Sequence, residues 1–393
     1  MKVALVHELL TMKGGAERVL RVIAEMFPDA PIYTLLYDER AVGDWFPRAR
    51  VQPSALQDSW TTHYSLLTTH SINHHHYLSR FPSAVEQWPF DSAQCDNSFD
   101  LVISSSSAFT HGIITNSAPK HLCYVHSPAR YLWDRTHDVL DRAGTGVLGP
   151  LKRMYLSRLF HRLRIWDTEA ADRPDRLLAA SREVQRRIEL YWRRESDVIY
   201  PPIDDFWFEP NAVAGCGLRV ARTRNPKLET RNYYLIVSQL APYKRIDLAI
   251  HACNQSNARL IIAGKGPARR SLEAIAGPTV EFVGYRTDEE LKELYTGARA
   301  LLFPGEEDFG LVPLESLACG TPVIAYRAGG AKETLTDDVA EFFDEPTPAS
   351  LRNAMGEMEK RGWDCEHCRK RAQEFSRSRF VDGMHAAIDR LMN

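Results

Sequence analysis

The chain has 393 residues, with 49 Lys and Arg against 51 Asp and Glu and a formal net charge of −2. That length exceeds one hydrophobic core and predicts two domains, while balanced charge argues against a nucleic-acid ligand held by overall basicity. Hydrophobic residues make up 44% and charged ones 25%, the mixture of a soluble globular protein, and no apolar run reaches the roughly 20 residues of a membrane-spanning helix.

In chain order, short buried strands are predicted at 3–7, 31–36, 101–104, 122–126, 177–180 and 198–200. The first of these, Val3 to His7, is too short for a signal-peptide core, so a cytoplasmic protein is expected. Helical periodicity is clearest at 16–26 and 182–192. After Pro201-Pro202 the stretch 204–232 is polar and irregular and reads as a boundary between domains. The alternation restarts with strands at 234–238, 260–263, 280–283, 300–303 and 323–326, separated by helices at 246–253, 270–276, 289–297 and 313–319. Regular alternation of strand and helix predicts an α/β protein with two Rossmann-like parallel sheets, each covered on both faces, facing a central cleft. The expected domains are 1–205, a linker at 206–232, a second lobe at 233–375 and a final helix at 376–393.

The most informative stretch lies in the second lobe, from Phe303 to Pro322, where Glu307 and Glu315 sit eight residues apart. Pro304 and Gly305 end the preceding strand, which puts Glu307 in a loop at its carboxyl end and Glu315 on the first turns of a helix. Such loops line the ligand crevice of open parallel sheets, and amides at a helix start favour an anion. Two carboxylates around an anion site suit a ligand with hydroxyls on both sides of a phosphate, such as a nucleotide-sugar. On spacing alone the plainer reading prevails, with Glu315 a first-turn acid and Glu307 a solvated loop charge.

Phe309-Gly-Leu-Val-Pro-Leu-Glu315, followed by Ala-Cys-Gly-Thr-Pro-Val-Ile324, resembles the donor-binding signature of the family 4 retaining glycosyltransferases. The resemblance implies the GT-B fold, with the last helix crossing back to the first lobe. It also assigns Glu307 to a hydroxyl of the transferred sugar, Glu315 to the ribose, and the amides around Phe309, Gly310 and Leu311 to the diphosphate. Ser238-Gln-Leu-Ala-Pro-Tyr-Lys-Arg245 is similar to the family's phosphate segment, where Lys244 matches the diphosphate-binding lysine. Gln239 stands at the family's Arg position, so either Arg245 compensates or stabilisation of the leaving group is weaker than is typical of the family. Gly264 and Gly284, at two further strand ends, border the base by the same resemblance.

In the first lobe, Gly14 and Gly15 lie between strand one and helix one, before Glu17. This is not the dinucleotide fingerprint, whose third glycine is missing, but it permits close backbone approach. The resemblance makes both glycines neighbours of the donor diphosphate or the acceptor. Cys123-Tyr-Val-His-Ser-Pro-Ala-Arg-Tyr-Leu-Trp-Asp134 is similar to a segment of one bacterial, polysaccharide mannosyltransferase-like branch, in which His126 faces the transferred sugar. Arg130 and Asp134 read either as a structural ion pair or as acceptor contacts. Residues 99–106 resemble the branch too, although Ser107 stands where a His is expected and His111 where a Lys is expected.

The implied activity is metal-independent, retaining transfer of a hexose, with mannose from GDP-mannose favoured, to a saccharide or polyprenyl-diphosphate-linked acceptor in cell-surface polysaccharide synthesis, including lipopolysaccharide. Lys244, Glu307 and His126 would be its catalytic residues, and no cofactor is needed beyond the nucleotide-sugar substrate. An epimerase of the same fold and a non-catalytic sugar-nucleotide sensor are the competing readings. The basic and apolar helix around 148–166, with Lys152, Arg153, Arg158 and Arg162, reads as a cross-lobe helix or as contact with an anionic bilayer at the inner membrane face. Cys365 and Cys368 are a lone C-x-x-C pair, expected in an exposed turn rather than as a zinc site, and the His-rich run 70–76 is expected as a polar loop.

Overall fold

A computed structural model describes residues 1–66, 77–88, 90, 99–116, 119–209 and 232–393, without the side chains of 62–66. The His-rich run 70–76 and linker residues 210–231 lie outside the described residues. The chain divides into two compact units, Met1–Tyr200 with Val381–Asn393, and Pro201–Phe380.

The first unit is built on a seven-stranded sheet of β1 (Val3–Leu10), β2 (Ile32–Tyr37), β3 (Val51–Pro53), β4 (Leu101–Ser106), β5 (Lys120–Val125), β6 (Arg176–Ala179) and β7 (Asp197–Val198). All neighbours pair in parallel, in the order β3-β2-β1-β4-β5-β6-β7. Chain order therefore reverses between β1 and β4, and in open sheets of this kind ligands bind outside the strand ends at such a point. Ala4, Val6, Leu36 and Val102 join the core with Phe109 and Leu163. β1 runs three residues past the expected end at His7, because His7 and Glu8 are buried with polar partners and the ladder continues through Leu9 and Leu10 to β2.

The second unit repeats the plan with β8 (Tyr233–Val237), β9 (Arg259–Ala263), β10 (Val280–Gly284), β11 (Ala300–Phe303), β12 (Val323–Tyr326) and β13 (Ala340–Phe343). Their order is β10-β9-β8-β11-β12-β13, again all parallel, with the switch between β8 and β11. Ile236, Ile262, Leu302 and Ile324 pack on the sheet with Leu248 and Ile250 of the Ile246–Ser256 helix. The edge strands β3 and β13, three and four residues long, were not expected from the sequence.

The last helix, Arg377–Met392, begins in the second unit and its residues from Val381 onward belong to the first, where Gly383 lies against Ile199 and Arg390 approaches Asp197 at 3.8 Å. The helix Gly149–Ala170 packs against Thr136–Ala143 and Arg182–Trp192 of its own unit, which corrects its reading as a cross-lobe helix. Cys365 and Cys368 fall on the helix Cys365–Gln373 rather than in an exposed turn, with Cys368 fully buried.

Candidate functional site

In the second unit the loops after β8 and β11, the two strands that flank the switch point, are joined by an ion pair between Lys244 and Glu307. The pair exists because the loops approach closely. A Cβ on Gly305 would come within 2.9 Å of the Lys244 carbonyl oxygen. Lys244 closes a single 3-10 turn, Pro242–Lys244, and Arg245 follows in the left-handed region at φ 50°. Arg245 turns its guanidinium onto Asp247, with Nε 3.3 Å from Oδ1, so any service to a phosphate competes with that acid. Gln239 is exposed at the end of β8.

Glycines shape the surrounding strand ends. Gly264, with φ 138°, has room for no side chain, since a Cβ would lie 1.9 Å from the Ser238 carbonyl oxygen. Its N–H donates to the carbonyl oxygen of Gly284, tying the ends of β9 and β10 together at 2.8 Å. Gly310, with φ 92°, turns the chain into the helix Leu311–Ala318, while Phe309 beneath it packs edge-on against Phe375. Glu315 lies on that helix as expected, but it is 6% exposed, and the hydroxyl of Tyr295 donates to its Oε2 at 2.8 Å. One carboxylate oxygen thus accepts a protein hydrogen bond while retaining further lone pairs.

The corresponding strand ends of the first unit carry a buried polar cluster. His7 on β1 and Ser105 on β4 are register partners, so their side chains share a face of the sheet. His7 Nδ1 lies 3.1 Å from Ser105 Oγ, and Ser105 Oγ lies 2.8 Å from His126 Nε2. His126 follows the last residue of β5 and is half-buried; its backbone N–H donates to the Ser106 carbonyl oxygen. Glu17 completes the row. Its Oε1 is 3.5 Å from His7 Nε2, and its Oε2 accepts the N–H of Gly14 at 2.9 Å, capping the helix Gly15–Met26. The Gly14 amide is therefore occupied within the protein. Burial and the neighbouring His7 push the His126 imidazole down to about 3, against the pull of Glu8. Burial also opposes charge on His7, but Glu17 and Glu8 outweigh it and raise its pKa above the usual value.

On the opposite face, Glu8 Oε1 accepts from the N–H groups of Ser107, Ala108, Phe109 and Thr110 at 2.9–3.1 Å and from the hydroxyls of Ser106 and Thr110 at 3.0 Å. Burial works against ionisation, yet His7 and these amides hold the carboxyl below its ordinary pKa. Ser107 thus serves Glu8 through its backbone. His111 is fully buried, stacked on Trp192 with centroids 4.5 Å apart and its Nε2 3.5 Å from Asp167 Oδ1. Asp167 also accepts from the indoles of Trp133 and Trp192 at 2.8 and 2.7 Å.

Arg130 and Asp134 form an ion pair at 2.9 Å, and the buried Arg187 approaches the same carboxylate at 3.5 Å. Sequence reasoning did not single out His7, Glu8, Ser105 or Tyr295. The signal available for the first three was polar residues inside two otherwise apolar strands, which burial permits only with partners.

Residues 219–375 match the family described as Glycosyl transferases group 1. Over 152 residues the chain is 35% identical to the GDP-mannose-dependent alpha-(1-6)-phosphatidylinositol dimannoside mannosyltransferase of Mycobacterium tuberculosis, a match covering 37% of this chain and 39% of that protein. It is 27% identical over 261 residues to the D-inositol 3-phosphate glycosyltransferase of Mycolicibacterium smegmatis, covering 58% and 56% of the two chains. The chain thus spans well under two thirds of these curated relatives. Among solved structures, sucrose-phosphate synthase from Thermosynechococcus elongatus superposes with a TM-score of 0.72 at 16% identity, over 100% of this chain and 99% of that one. Anabaena Alr3699/HepE in complex with UDP does so with a TM-score of 0.64 at 16% identity, over 100% of both chains. Likeness of that kind over both parallel-sheet units establishes the GT-B fold, and over residues 219–375 the chain is similar to the group 1 glycosyltransferases, in line with the family 4 signature that its motifs resemble.

Proposed function

We infer that the protein is a retaining hexosyltransferase that uses a nucleotide-sugar donor. The observation that carries this reading is the Lys244–Glu307 pair at the β8/β11 switch point, where one cation and one carboxylate stand together among glycines at φ 138°, 76° and 92°. Lys244 Nζ would leave Glu307 for the donor diphosphate, and the amides at Phe309, Gly310 and Leu311 would take its remaining oxygens. Glu307 is then released to accept a hydroxyl of the transferred sugar, and Glu315, steadied by Tyr295, accepts the ribose hydroxyls. The base would rest near Gly264 and Gly284. By the family resemblance, His126 would serve the transferred sugar, Gly14, Gly15, Arg130 and Asp134 would be the further first-unit candidates, and Gln239 and Arg245 would serve the phosphates.

In the transfer, the bond between the sugar's anomeric carbon and the diphosphate oxygen breaks as the acceptor oxygen bonds to the same face of that carbon. The acceptor proton goes to the departing diphosphate. Stabilising that leaving group and orienting the partners supply the acceleration, without any need for a metal. GDP-mannose is the favoured donor, supported by the names of the relatives from Mycobacterium tuberculosis. The acceptor is a saccharide or polyprenyl-diphosphate-linked glycan of the cell surface.

A bilayer-presented acceptor is supported by the helix Gly149–Ala170. Leu148, Leu151, Met154 and Tyr155 are exposed beside Lys152, Arg153, Arg158 and Arg162, a mixture suited to an anionic membrane surface. Among the described residues no helix is long and apolar enough to cross a membrane. Incubating the chain with GDP- and UDP-sugars, with and without lipid-linked acceptor, tests the reading. Acceptor-dependent release of one nucleoside diphosphate is expected. Sugar conversion without acceptor would instead identify an epimerase, and tight binding without turnover a sensor.

A further inference from the structure

We propose that Glu17, His7 and Ser105 form a hydrogen-bonded relay that decides which ring nitrogen of His126 carries the proton, making all three positioning residues for the transfer reaction. The inference rests on the proposed function only in giving His126 a substrate to serve; the relay itself stands on geometry. Four side chains from four elements lie in one row: Glu17 on the first helix, His7 on β1, Ser105 on β4 and His126 after β5. The three separations along the row are 3.5, 3.1 and 2.8 Å.

The serine hydroxyl has a single proton and lies between two imidazole nitrogens, so it can donate to only one of them. When His7 is cationic, both its N–H groups donate, Nε2–H to Glu17 and Nδ1–H to Ser105. Ser105 must then spend its own proton on His126 Nε2, which leaves the neutral His126 ring protonated at Nδ1. When His7 is neutral and keeps its proton toward Glu17, every bond beyond it reverses. Ser105 donates to His7 Nδ1, His126 Nε2–H donates to Ser105, and His126 Nδ1 becomes an acceptor. A charge on His7 is thereby converted into a donor at His126, and its loss into an acceptor.

The groups facing His7 set which state prevails. They are Glu17 from the helix, Ser105 from β4 and His126 from the end of β5, and Glu8, on the other face of its own strand, acts through its charge. Burial opposes the cation on His7 but two carboxylates against one neutral imidazole outweigh it, and His126 itself resists protonation because burial and His7 both oppose it. The relay therefore presents His126 Nδ1–H to a substrate oxygen. The matching ligand feature is an acceptor atom, either a sugar hydroxyl oxygen or a diphosphate oxygen.

Long-range proton–nitrogen spectra of the full chain labelled with 15N-histidine read the tautomer without any substrate, His126 being assigned by its loss in His126→Gln. At about pH 6, where even an ordinary imidazole is largely protonated and the raised His7 more so, the expected form is neutral His126 protonated at Nδ1. Glu17→Gln and Ser105→Ala should each shift His126 toward the Nε2–H form or a mixture. An Nε2–H ring in the unaltered chain, or a tautomer unmoved by both substitutions, overturns the relay. In turnover with the preferred donor, the same two variants should lose about tenfold or more in kcat, a part of the roughly 10²–10⁴ that a positioned proton donor contributes, with donor KM changed far less. Equal kcat in the variants would refute the positioning role. An unaltered chain with the expected tautomer but no transferase activity would count against the proposed function and leave the relay standing.

Discussion

Replacing Glu8 by Ala removes the acceptor for four backbone N–H groups and two hydroxyls, which converge on one carboxylate oxygen at 2.9–3.1 Å. Glu8 is 6% exposed, so water does not freely replace it. A hydrogen bond to a charged group contributes roughly 1.5–3 kcal/mol, and a buried donor left unsatisfied costs about 1–3 kcal/mol. Six donors cannot each cost the full amount, because they share one oxygen, and partial rehydration of the new cavity offsets part of the loss. Removal of one partner from a buried charge arrangement typically costs about 3–5 kcal/mol, and that is the expected loss here. For a unit of this size it lowers the midpoint by on the order of 10 °C. Glu8→Gln, which keeps one carbonyl acceptor, should lose roughly half as much. Hydrogen exchange by mass spectrometry over residues 101–116 locates the effect: faster exchange at Ser107 to Thr110 together with destabilisation of the first unit is expected. A loss below about 1 kcal/mol in Glu8→Ala would refute the view that this carboxylate organises the loop after β4.

Lys244→Ala should lower kcat by about 10²–10³ with the fold intact, as expected for a lost contact to a leaving group, and Glu307→Ala should do the same; near-normal turnover in either sinks the assignment. Gly264→Ala should destabilise the second unit by several kcal/mol or prevent its folding, because the new methyl would lie 1.9 Å from the Ser238 carbonyl oxygen; urea denaturation tests it, and an unchanged midpoint would contradict the geometry. His121 is fully buried, its Nε2 2.7 Å from Ser104 Oγ, and burial depresses its pKa to about 3. The unfolded chain therefore binds the proton first, and this site should remove up to about 1.4 kcal/mol of stability per pH unit as pH falls from 6.5 toward 3. His7 has the opposite sign: its raised pKa contributes stability fully present below 6.5 and lost as pH rises through the folded value. Acid titrations of stability with His121→Asn should show a shallower fall, and an unchanged slope would count against the burial argument. Neutralising Lys152, Arg153, Arg158 and Arg162 together should abolish flotation with anionic liposomes, whereas unchanged flotation would refute a membrane role for that helix.

The second unit was the more legible from sequence because its site is written in local rules. Pro304 and Gly305 stop a strand and Lys244 follows a strand end, so each is placed within a few residues, and both segments carry the family resemblance that singled them out. Helix boundaries set by strong periodicity were also legible, with 182–192 read from the sequence and Arg182–Trp192 found. Strand ends were less so. His7 and Glu8 looked like terminators because charge near a strand reads as solvent contact, and only partners more than 90 residues away make their burial tolerable.

The sequence by itself determined the two doubly wound sheets, since these follow from short-range alternation and from the stop signals at each strand end, while the resemblance of two segments to the family 4 signature singled out Lys244, Glu307 and Glu315. Tertiary structure alone decided that Lys244 meets Glu307, that Tyr295 steadies Glu315, and that Glu17, His7, Ser105 and His126 fall into one row. Parallel pairing brings strands from distant parts of the chain side by side, and the register they adopt determines which side chains meet.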